Sequence, residues 1–581
     1  MRAGTLIITG LIMAALSSSM AQSTLDHVAA TTTLADEFVA ASVQRFPEAT
    51  MFWGAADAPR DRVFDNTLAA KQQWDQRVDA MKTLLRGIDR TALAGRPEAI
   101  TYGYLQQALD SETERRPCRA ELWSVDHLSG WQVSLPALLS RQPVATEADR
   151  KAALDRVGQY GRYVEREIEV LRSGLSSGYA APRVNVERVI AQIEGLLAGT
   201  PDKSPFMTIT GGSTDAAFTG AVAKVIGAQI NPALTRYKDF LNEYRGVART
   251  SVGVSEIPQG VACYRGLVKD NTSLDLSPDE VHQLGLTMME QIHAEMRTVG
   301  ARAFATSDVA TVINRLRNDT ALRFKSADEI MKVSSAALAR ARAAMPKFFG
   351  RLPKADVLIQ PFEPFEAPSM PPAMYRQASL DGSKPGIFMV NLHRPDQLPR
   401  PDYEAIAFHE AIPGHHLQIA LAIERPSAHR ITQMFGATAF IEGWGLYSER
   451  LADEMGLYTS DVDRLGMLSA QAWRAARLVV DTGMHAKKWP REQAVDYMRK
   501  NTAVGENTIQ TEVDRYIIMP GQALAYMVGY REITSLRARA TAALGPRFDI
   551  RAFHDAVLGR GAVTLPMLRE QVEEWIREVE K

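Results

Sequence analysis

The sequence predicts a mainly α-helical protein with a small β-sheet near the middle of the chain. Apolar residues recur at three-and-four spacing through most of the first 350 residues, and this is the period of helices that bury one face. Two short runs of β-type residues follow position 350, and helical patterns return from about position 401. The chain therefore reads as two helical regions separated by a short sheet-forming segment.

Length and composition limit the class of protein. A chain of 581 residues exceeds what a single hydrophobic core usually supports, so we expect two or more lobes. The hydrophobic content of 46% and the charged content of 23% are ordinary for a globular protein. A net charge of -1, without a long basic run, argues against nucleic acid as a partner.

The first 21 residues are typical of a secretory signal peptide. Arg2 supplies a positive charge, residues 6–16 are apolar, and residues 19–21 place small side chains at the cleavage positions. The apolar run is short for a membrane span, and no other run approaches the roughly 20 residues that a span needs. We expect an exported, soluble chain without stable membrane association, located in the periplasm.

Residues 22–350 are predicted to form a helical N-terminal region, in which we identify no chemistry. Serine followed three positions later by glutamate begins two of its helices, at Ser277 and Ser326. The longest helical patterns lie over residues 67–85, 145–173, 185–197 and 214–244.

Cys118 and Cys263 are the only two cysteines. In an oxidising compartment they could form one disulfide closing a long loop, nominally worth about 4 to 5 kcal/mol. Two buried free thiols are the alternative. Two cysteines this far apart form no metal-binding pattern.

Short β-strands are predicted over residues 356–359 and 386–392, with a proline-rich stretch between them. Acidic residues in the first turn then begin a helix near Pro401. The histidine motif lies on this helix, so we predict that residues 351–581 form a metal-binding catalytic region.

Three histidines and a glutamate lie within eight positions, at His409, Glu410, His415 and His416. Neutral imidazoles are good zinc ligands, and a neighbouring carboxylate can take a proton from a metal-activated water. This composition therefore predicts a zinc site in which Glu410 is the general base.

The spacing of these histidines departs from the usual pattern of two histidines four positions apart on one helix. On a regular helix His416 would return to the face of His409 about 10 Å further along, and His415 would be rotated roughly 120° away. Pro413 and Gly414 favour a kink or bulge, and a bulge absorbing two residues would bring His415 beside His409. We take His409 and His415 as ligands, and His416 is the alternative to His415. The other interpretation is a helix that simply ends at Pro413 and forms no metal site.

A second segment resembles the third-ligand helix of glutamate-type zinc peptidases. In those enzymes the ligand glutamate is often followed by glycine, an aromatic residue and then a tyrosine. Glu442, Gly443, Trp444 and Tyr447 are similar to that arrangement, and the resemblance implies Glu442 as the third ligand. Glu449 is a weaker ligand candidate, which could instead orient a ligand or pair with a basic residue.

Four separated blocks together resemble the bacterial family called domain of unknown function 885. The blocks lie at 409–418, 442–444, 481–485 and 515–526, and the resemblance covers about residues 350–530. This family is grouped with the zincin metallopeptidases, whose helical members include relatives of angiotensin-converting enzyme and of thimet oligopeptidase. The site also resembles that of dipeptidyl peptidase III, whose lengthened motif favours His415 over His416.

The resemblance implies a large multi-helix zincin-like peptidase with a small β-sheet beside its active-site cleft. Zn²⁺ would be held by His409, His415 and Glu442, with Glu410 as general base and short peptides as substrates. A free edge of the strand that ends at Asn391 could bind an extended peptide, or the edge could be covered.

A zincin also needs a neutral donor for the oxyanion, usually a tyrosine or a histidine. Tyr516 and Tyr526 are the candidates, followed by His485. A residue that recognises a substrate carboxylate cannot be chosen from sequence, because spacing along the chain does not give a distance from the metal. The possible arginines are Arg376, Arg394, Arg474, Arg477 and Arg515.

Two other functions fit parts of this pattern. Two histidines and one carboxylate also form the facial triad of Fe(II) oxygenases, but that chemistry does not need Glu410. A non-catalytic peptide-binding protein with the same fold is the second alternative, and the complete set of ligands and base argues against it.

Overall fold

A computed structural model gives the structure of the chain, and it describes residues 26–52, 57–364, 367, 370–379, 384–425 and 429–581. The predicted signal peptide lies outside these residues. Across the described ranges, the helices are either too short or too polar to cross a membrane. The chain divides into two compact units.

Unit 1 contains the described residues of Met1–Thr113, Arg119–Arg249 and Ser427–Phe435. It is built from helices around one large apolar core, in which Val157, Ile193 and Leu234 are fully buried. Its helices are α1 (26–45), α2 (Pro47–Phe52), α3 (Leu68–Arg86), α4 (Pro97–Glu114), α5 (Trp131–Leu139), α6 (Glu147–Val157), α7 (Tyr160–Ser176), α8 (Arg183–Leu197), α9 (Ala216–Val225), α10 (Asn231–Arg245) and, later in the chain, α17 (Ile431–Met434).

Unit 2 contains Glu114–Cys118 and the described residues of Thr250–Pro426 and Gly436–Lys581. Its three strands are β1 (Val357–Pro361), β2 (Ala373–Arg376) and β3 (Gly386–Val390). Its helices are α11 (Gly260–Thr272), α12 (Pro278–Phe304), α13 (Val309–Asn318), α14 (Ala327–Phe348), α15 (Asp402–Glu410), α16 (His415–Ile423), α18 (Thr438–Glu454), α19 (Asp461–Ala486), α20 (Arg491–Asn501), α21 (Glu506–Ile518), α22 (Ala525–Leu544), α23 (Ile550–Leu558) and α24 (Leu565–Glu580).

The prediction of a mainly helical chain with a small sheet is confirmed. The Ser277 side chain accepts a hydrogen bond from the Glu280 amide, and the Glu280 side chain accepts one from the Ser277 amide. Helix α12 therefore has the predicted capping box. The helix predicted over residues 145–173 is instead two helices, because α6 ends at Val157 and α7 begins at Tyr160.

The sheet has the strand order β1-β3-β2, with β3 parallel to β1 and antiparallel to β2. Of the two alternatives for the strand that ends at Asn391, the structure has the covered edge, since β3 is paired on both sides. Strand β2 was not predicted, because it lies within the proline-rich stretch. Among the described strands, β1 and β2 are the edges of the sheet.

Cys118 and Cys263 form a disulfide within unit 2, with Cα atoms 4.5 Å apart. The bond joins residues 145 positions apart in sequence. Of the two states that the sequence left open, the structure has the disulfide.

Candidate metal centre

The helix that carries His409 stops at the Pro-Gly segment. Helix α15 ends at Glu410, Ala411 and Gly414 have non-helical torsions, and α16 begins at His415. The predicted bulge is thus a complete break, because Pro413 has no amide hydrogen to donate to the preceding turn.

Helix α18 satisfies the carbonyl that this break leaves without a helical partner. The indole nitrogen of Trp444 donates to the Pro413 carbonyl over 2.9 Å, and the Ser448 hydroxyl donates to it over 3.2 Å. All three groups are buried. Hydrogen bonds from Trp444 and Ser448 therefore join the break to α18, the helix that also carries Glu442.

His409, His415 and Glu442 converge, with one ligand atom of each within 4.8 Å of the others. The Glu442 carboxylate lies 3.7 Å from His409 Nε2 and 3.6 Å from His415 Nε2. These separations are too long for good hydrogen bonds. They are close to the roughly 3.3 Å that separates two ligand atoms of a tetrahedral ion with bonds of about 2.0 Å, so this donor set fits a zinc ion.

Two glycines of α18 make room for this arrangement. A Cβ at Gly445 would lie 2.7 Å from the His409 ring, and a Cβ at Gly443 would lie 2.5 Å from the backbone of Gly529 on α22. The imidazole and the backbone of α22 can therefore pack directly on α18, on either side of Trp444.

A buried carboxylate fixes the orientation of His409. Its Nδ1 lies 2.8 Å from Glu449 Oε1, and Arg474 lies 3.7 Å from the same oxygen. A proton on Nδ1 leaves the Nε2 lone pair directed toward Glu442 and His415. A carboxylate behind a ligating histidine is a common second layer of zinc sites, and the contact of Glu449 with Nδ1 of His409 fits an orienting group better than a ligand.

Without a metal, the imidazoles and the carboxylate stabilise each other's charges. Burial lowers the pKa of His409, but its interactions with Glu442 and Glu449 outweigh burial and raise this pKa to about 9. Burial raises the pKa of Glu442, but its interactions with His409 and His415 are stronger and hold this pKa far below its usual range. A proton on His409 must leave before a metal can bind.

Strand β2 positions Glu410. The backbone N–H of Tyr375 donates to Glu410 Oε2 over 2.8 Å. Within the described part of the chain, this amide is the hydrogen-bond partner of the carboxylate, and the other carboxylate oxygen is left to accept a proton. Tyr375 was not predicted, because the alternating burial of β2 appears only in the structure.

The side chain of His416 points away from the cluster and is hydrogen-bonded to other parts of the protein. Its Nε2 donates to the Ala355 carbonyl over 3.1 Å, so Nδ1 is the acceptor for the Tyr375 hydroxyl at 3.0 Å. Burial lowers the pKa of His416, which keeps the ring neutral. Both ring nitrogens are therefore occupied by protein partners.

The two candidate tyrosines have different surroundings. The Tyr516 hydroxyl donates to Glu512 and accepts from Trp473 and Arg477. The Tyr526 hydroxyl makes no hydrogen bond to a described residue, and the charge of Glu442 acts on it. Tyr526 is thus the one whose hydroxyl remains free near the cluster.

His485, the third candidate donor, is also occupied. Its Nε2 donates to the Tyr516 carbonyl over 2.9 Å, and its Nδ1 accepts from the Val254 amide over 3.2 Å. His485 is completely buried. These bonds to the backbone identify it as a structural residue that joins α19 to α21.

All five candidate arginines belong to unit 2, and three of them lie beside Tyr526. Arg477 lies over the Tyr526 ring, with its guanidinium carbon 4.5 Å from the ring centre. Arg515 and Arg477 share Glu512 as their acidic partner, and Arg474 faces Glu449. The other two, Arg376 and Arg394, are exposed.

Comparison with known proteins identifies the family and the fold. The family model described as "Bacterial protein of unknown function (DUF885)" matches residues 47–572. No curated protein matches the chain significantly. A candidate lipoprotein from Colwellia psychrerythraea, solved by crystallography, is 26% identical, with a TM-score of 0.85 over 96% of this chain and 99% of that chain. A candidate lipoprotein of unknown function from Shewanella oneidensis is 18% identical, with a TM-score of 0.76 over 93% of this chain and 99% of that chain, and it shows the fold alone.

Metal binding to the cluster should release a proton at neutral pH. His409 is protonated below a pKa of about 9 in the metal-free protein, and only the neutral ring binds metal. Zinc affinity should therefore rise with pH, by up to about tenfold per unit, and level off near the pKa of His409. Isothermal titration calorimetry of the chelator-treated protein, in two buffers of different ionisation enthalpy, measures the number of protons released at pH 7.

A Glu449→Gln variant should weaken zinc binding by about 10- to 100-fold, as removal of a carboxylate behind a ligating histidine typically does. Glu454→Gln is the matched control, because Glu454 lies on the same helix in an exposed pair with Arg537. Equal zinc affinity in the two variants, or no proton release, would contradict the assigned role of the cluster.

Proposed function

We propose that this chain, which belongs to the DUF885 family, is a zinc-dependent peptidase that hydrolyses short peptides. The observation that carries the proposal is the convergence of His409, His415 and Glu442, with Glu410 held beside them by strand β2. Two imidazoles, a ligating carboxylate and a separate carboxylate base are the groups that metal-assisted hydrolysis of a peptide bond uses.

Zn²⁺ held by His409, His415 and Glu442 would activate a water and polarise the carbonyl of the scissile bond. Glu410 would accept a proton from the attacking water and deliver it to the leaving amine. Its bond from the Tyr375 amide occupies Oε2, so Oε1 is the oxygen that carries the proton.

Tyr526 would donate a hydrogen bond to the oxyanion that forms at the scissile carbonyl. Its hydroxyl has no hydrogen-bond partner among the residues that the structure describes. Burial, followed by the charge of Glu442, raises the pKa of Tyr526. The phenol therefore keeps the proton that it needs as a donor.

The edge of the sheet beside Glu410 would hold the substrate backbone. Strand β2 is an edge strand of the described sheet, and the Tyr375 amide already reaches Glu410 from it. Backbone pairing would fix the direction of an extended peptide added along this edge. Because Glu410 lies beside the same edge, the carbonyls of the peptide would then be near the base. Short, unfolded peptides suit this mode of binding.

Export to the periplasm is the location that we propose. The N-terminal residues have the pattern of a signal peptide, and a similar chain from Colwellia psychrerythraea is described as a candidate lipoprotein. Processing of nutrient peptides is a role that fits such a location.

The choice of His415 over His416 can be tested by metal content. About one zinc per chain is expected in the wild-type protein by mass spectrometry. His415→Ala should lose it, because a ligand is removed, whereas His416→Ala should retain it, because both ring nitrogens of His416 have protein partners. The reverse pattern would assign the ligand to His416, and absence of zinc from all three would contradict the metal site.

A Glu410→Gln variant should lose hydrolysis and keep its zinc. Removal of a general base typically lowers the rate by about 10²- to 10⁴-fold, while the three ligands are unchanged. The readout is cleavage of a peptide library followed by mass spectrometry, with zinc content measured on the same samples. Glu492→Gln, an exposed substitution on α20, is the matched control, and normal hydrolysis in Glu410→Gln would refute the proposed mechanism.

The two tyrosines should give opposite results when changed to phenylalanine. Tyr526→Phe should lower kcat by roughly 10- to 10³-fold with zinc content and melting temperature unchanged, because it removes an oxyanion donor. Tyr516→Phe should lower the melting temperature and leave kcat near that of the wild type, because its hydroxyl serves the buried network around Glu512. If kcat fell in Tyr516→Phe and not in Tyr526→Phe, Tyr516 would be the oxyanion donor and Tyr526 would not.

A further inference from the structure

Unit 1 contains a cavity of about 350 Å³, formed entirely by residues of that unit. Helices α5, α7 and α10 contribute aromatic walls through Trp131, Tyr163 and Tyr237. Asn66, just before α3, and Glu167 on α7 contribute polar groups. This volume is in the range of small-molecule sites.

The basic side chains that line the cavity have partners in the protein. Lys71 pairs with Asp75 one turn along the same helix, at 2.7 Å. Arg45 donates to the Asp65 carbonyl and stacks on Phe64, with its guanidinium carbon 4.2 Å from the ring centre. Neither cation compensates a carboxylate inside the cavity.

Two of the three acidic side chains that line it are also engaged. Glu121 pairs with Arg119 at 2.7 Å. Asp126 accepts from the amides of Leu128 and Ser129 in its own turn. Glu121 thus has a cation beside it and Asp126 is bound within its own turn, and the third acid has neither kind of contact.

That third acid is Glu167, which forms no ion pair with any described residue. Its carboxylate accepts from Asn66 Nδ2 over 2.6 Å and from Tyr163, and both of these donors are neutral. Burial, only partly offset by these bonds, raises the pKa of Glu167 to about 7. Asn66 Oδ1 beside it is buried and has no hydrogen-bond partner in the described chain.

A half-buried carboxylate with only neutral donors and a buried amide oxygen with no donor among the described residues therefore lie side by side. A carboxylate can accept about four hydrogen bonds and an amide oxygen two, and leaving buried acceptors unpaired is costly. A ligand that supplies several N–H donors and a positive charge would satisfy both groups at once.

The aromatic walls favour the same charge. The Trp131 ring centre lies 6.0 Å from that of Tyr163 and 5.4 Å from that of Tyr237, and the ring planes are inclined by 72° and 59°. All three rings line the cavity, and aromatic rings attract cations that approach their faces. Burial, followed by the charge of Glu167, raises the pKa of Tyr163 and Tyr237, so the field of this carboxylate acts on both phenols.

We propose that this cavity binds a small molecule carrying a protonated amino group, with the ammonium held by Glu167 and Asn66 and enclosed by Trp131, Tyr163 and Tyr237. The amino group could belong to a free amine or to the amino end of a short peptide. The proposal concerns unit 1 alone and does not depend on the peptidase mechanism.

The test uses the full chain and three probes of the same shape. Benzylammonium, benzyl alcohol and benzoate are titrated at about pH 8 by ligand-observed NMR, a pH at which a free carboxylate and an alkylamine are both charged. Benzylammonium should bind at least about tenfold more tightly than the alcohol, because it combines an ion pair with cation–π contacts, and benzoate should bind most weakly. Equal affinity for ammonium and alcohol would overturn the proposal.

Substitution then locates the binding. Glu167→Gln should weaken benzylammonium binding at least about tenfold and leave benzyl alcohol binding within about twofold, since only the charge is removed. Glu169→Gln is the matched control, on the same helix but exposed and paired with Arg162. Unchanged benzylammonium binding in Glu167→Gln would overturn the assignment, and the three-probe comparison on the wild type remains decisive if this variant does not fold.

Competition distinguishes the two sources of the amino group. Alanylalanine is added against benzylammonium and compared with its N-acetyl derivative, in which the amine is neutral. Displacement by the free dipeptide alone supports the ammonium site with a peptide amino end as ligand. Displacement by neither supports the same site for free amines, whereas displacement by both to an equal extent contradicts recognition of the charge.

Discussion

The hydrogen bonds from α18 to the Pro413 carbonyl hold the candidate metal centre together. A helix cannot place histidines six positions apart on one ion, so the chain must break between them, and a break leaves backbone groups without helical partners. Trp444 and Ser448 donate to the buried Pro413 carbonyl that the break leaves without a helical partner. Because the same helix carries Glu442, the bonds that stabilise the break also fix the third candidate ligand relative to the first two.

Three glutamates surround this point, and their neighbours give each a different character. Glu442 faces two imidazoles and remains ionised because of them. Glu449 lies behind His409 in a fully buried position, where it orients the ring. Among the described residues, Glu410 accepts only from a backbone amide of β2. The proposed ligand, orienting group and base thus differ in their contacts, although all three side chains are chemically the same.

Sequence patterns predicted what depends on local spacing. The helical class, the capping box at Ser277 and the group of His409, His415 and Glu442 all follow from residue types at short range or from motif resemblance. The form of the break, the strand β2 and the contact of Tyr375 with Glu410 did not follow, because each depends on contacts between segments distant in sequence. For the same reason the sequence left three roles open for Glu449. Tyr516 and Tyr526 could not be separated for the same reason: both lie in one motif, and only the partners of their hydroxyls differ. Glu167 carries no sequence signal, since it resembles any glutamate on an amphipathic helix.

The arginines near Tyr526 adjust the strength of the candidate oxyanion donor. Burial and the Glu442 charge raise its pKa, whereas Arg477, Arg515 and Arg474 act in the opposite direction. A phenol with a strongly raised pKa holds its proton firmly and donates a weaker hydrogen bond, so cations that limit the rise strengthen the donor without removing its proton. Two of these arginines share Glu512 as a partner, so the group retains excess positive charge. Negative charge that develops at a carbonyl beside Tyr526 would then be stabilised both by the hydroxyl and by the field of the arginines behind it.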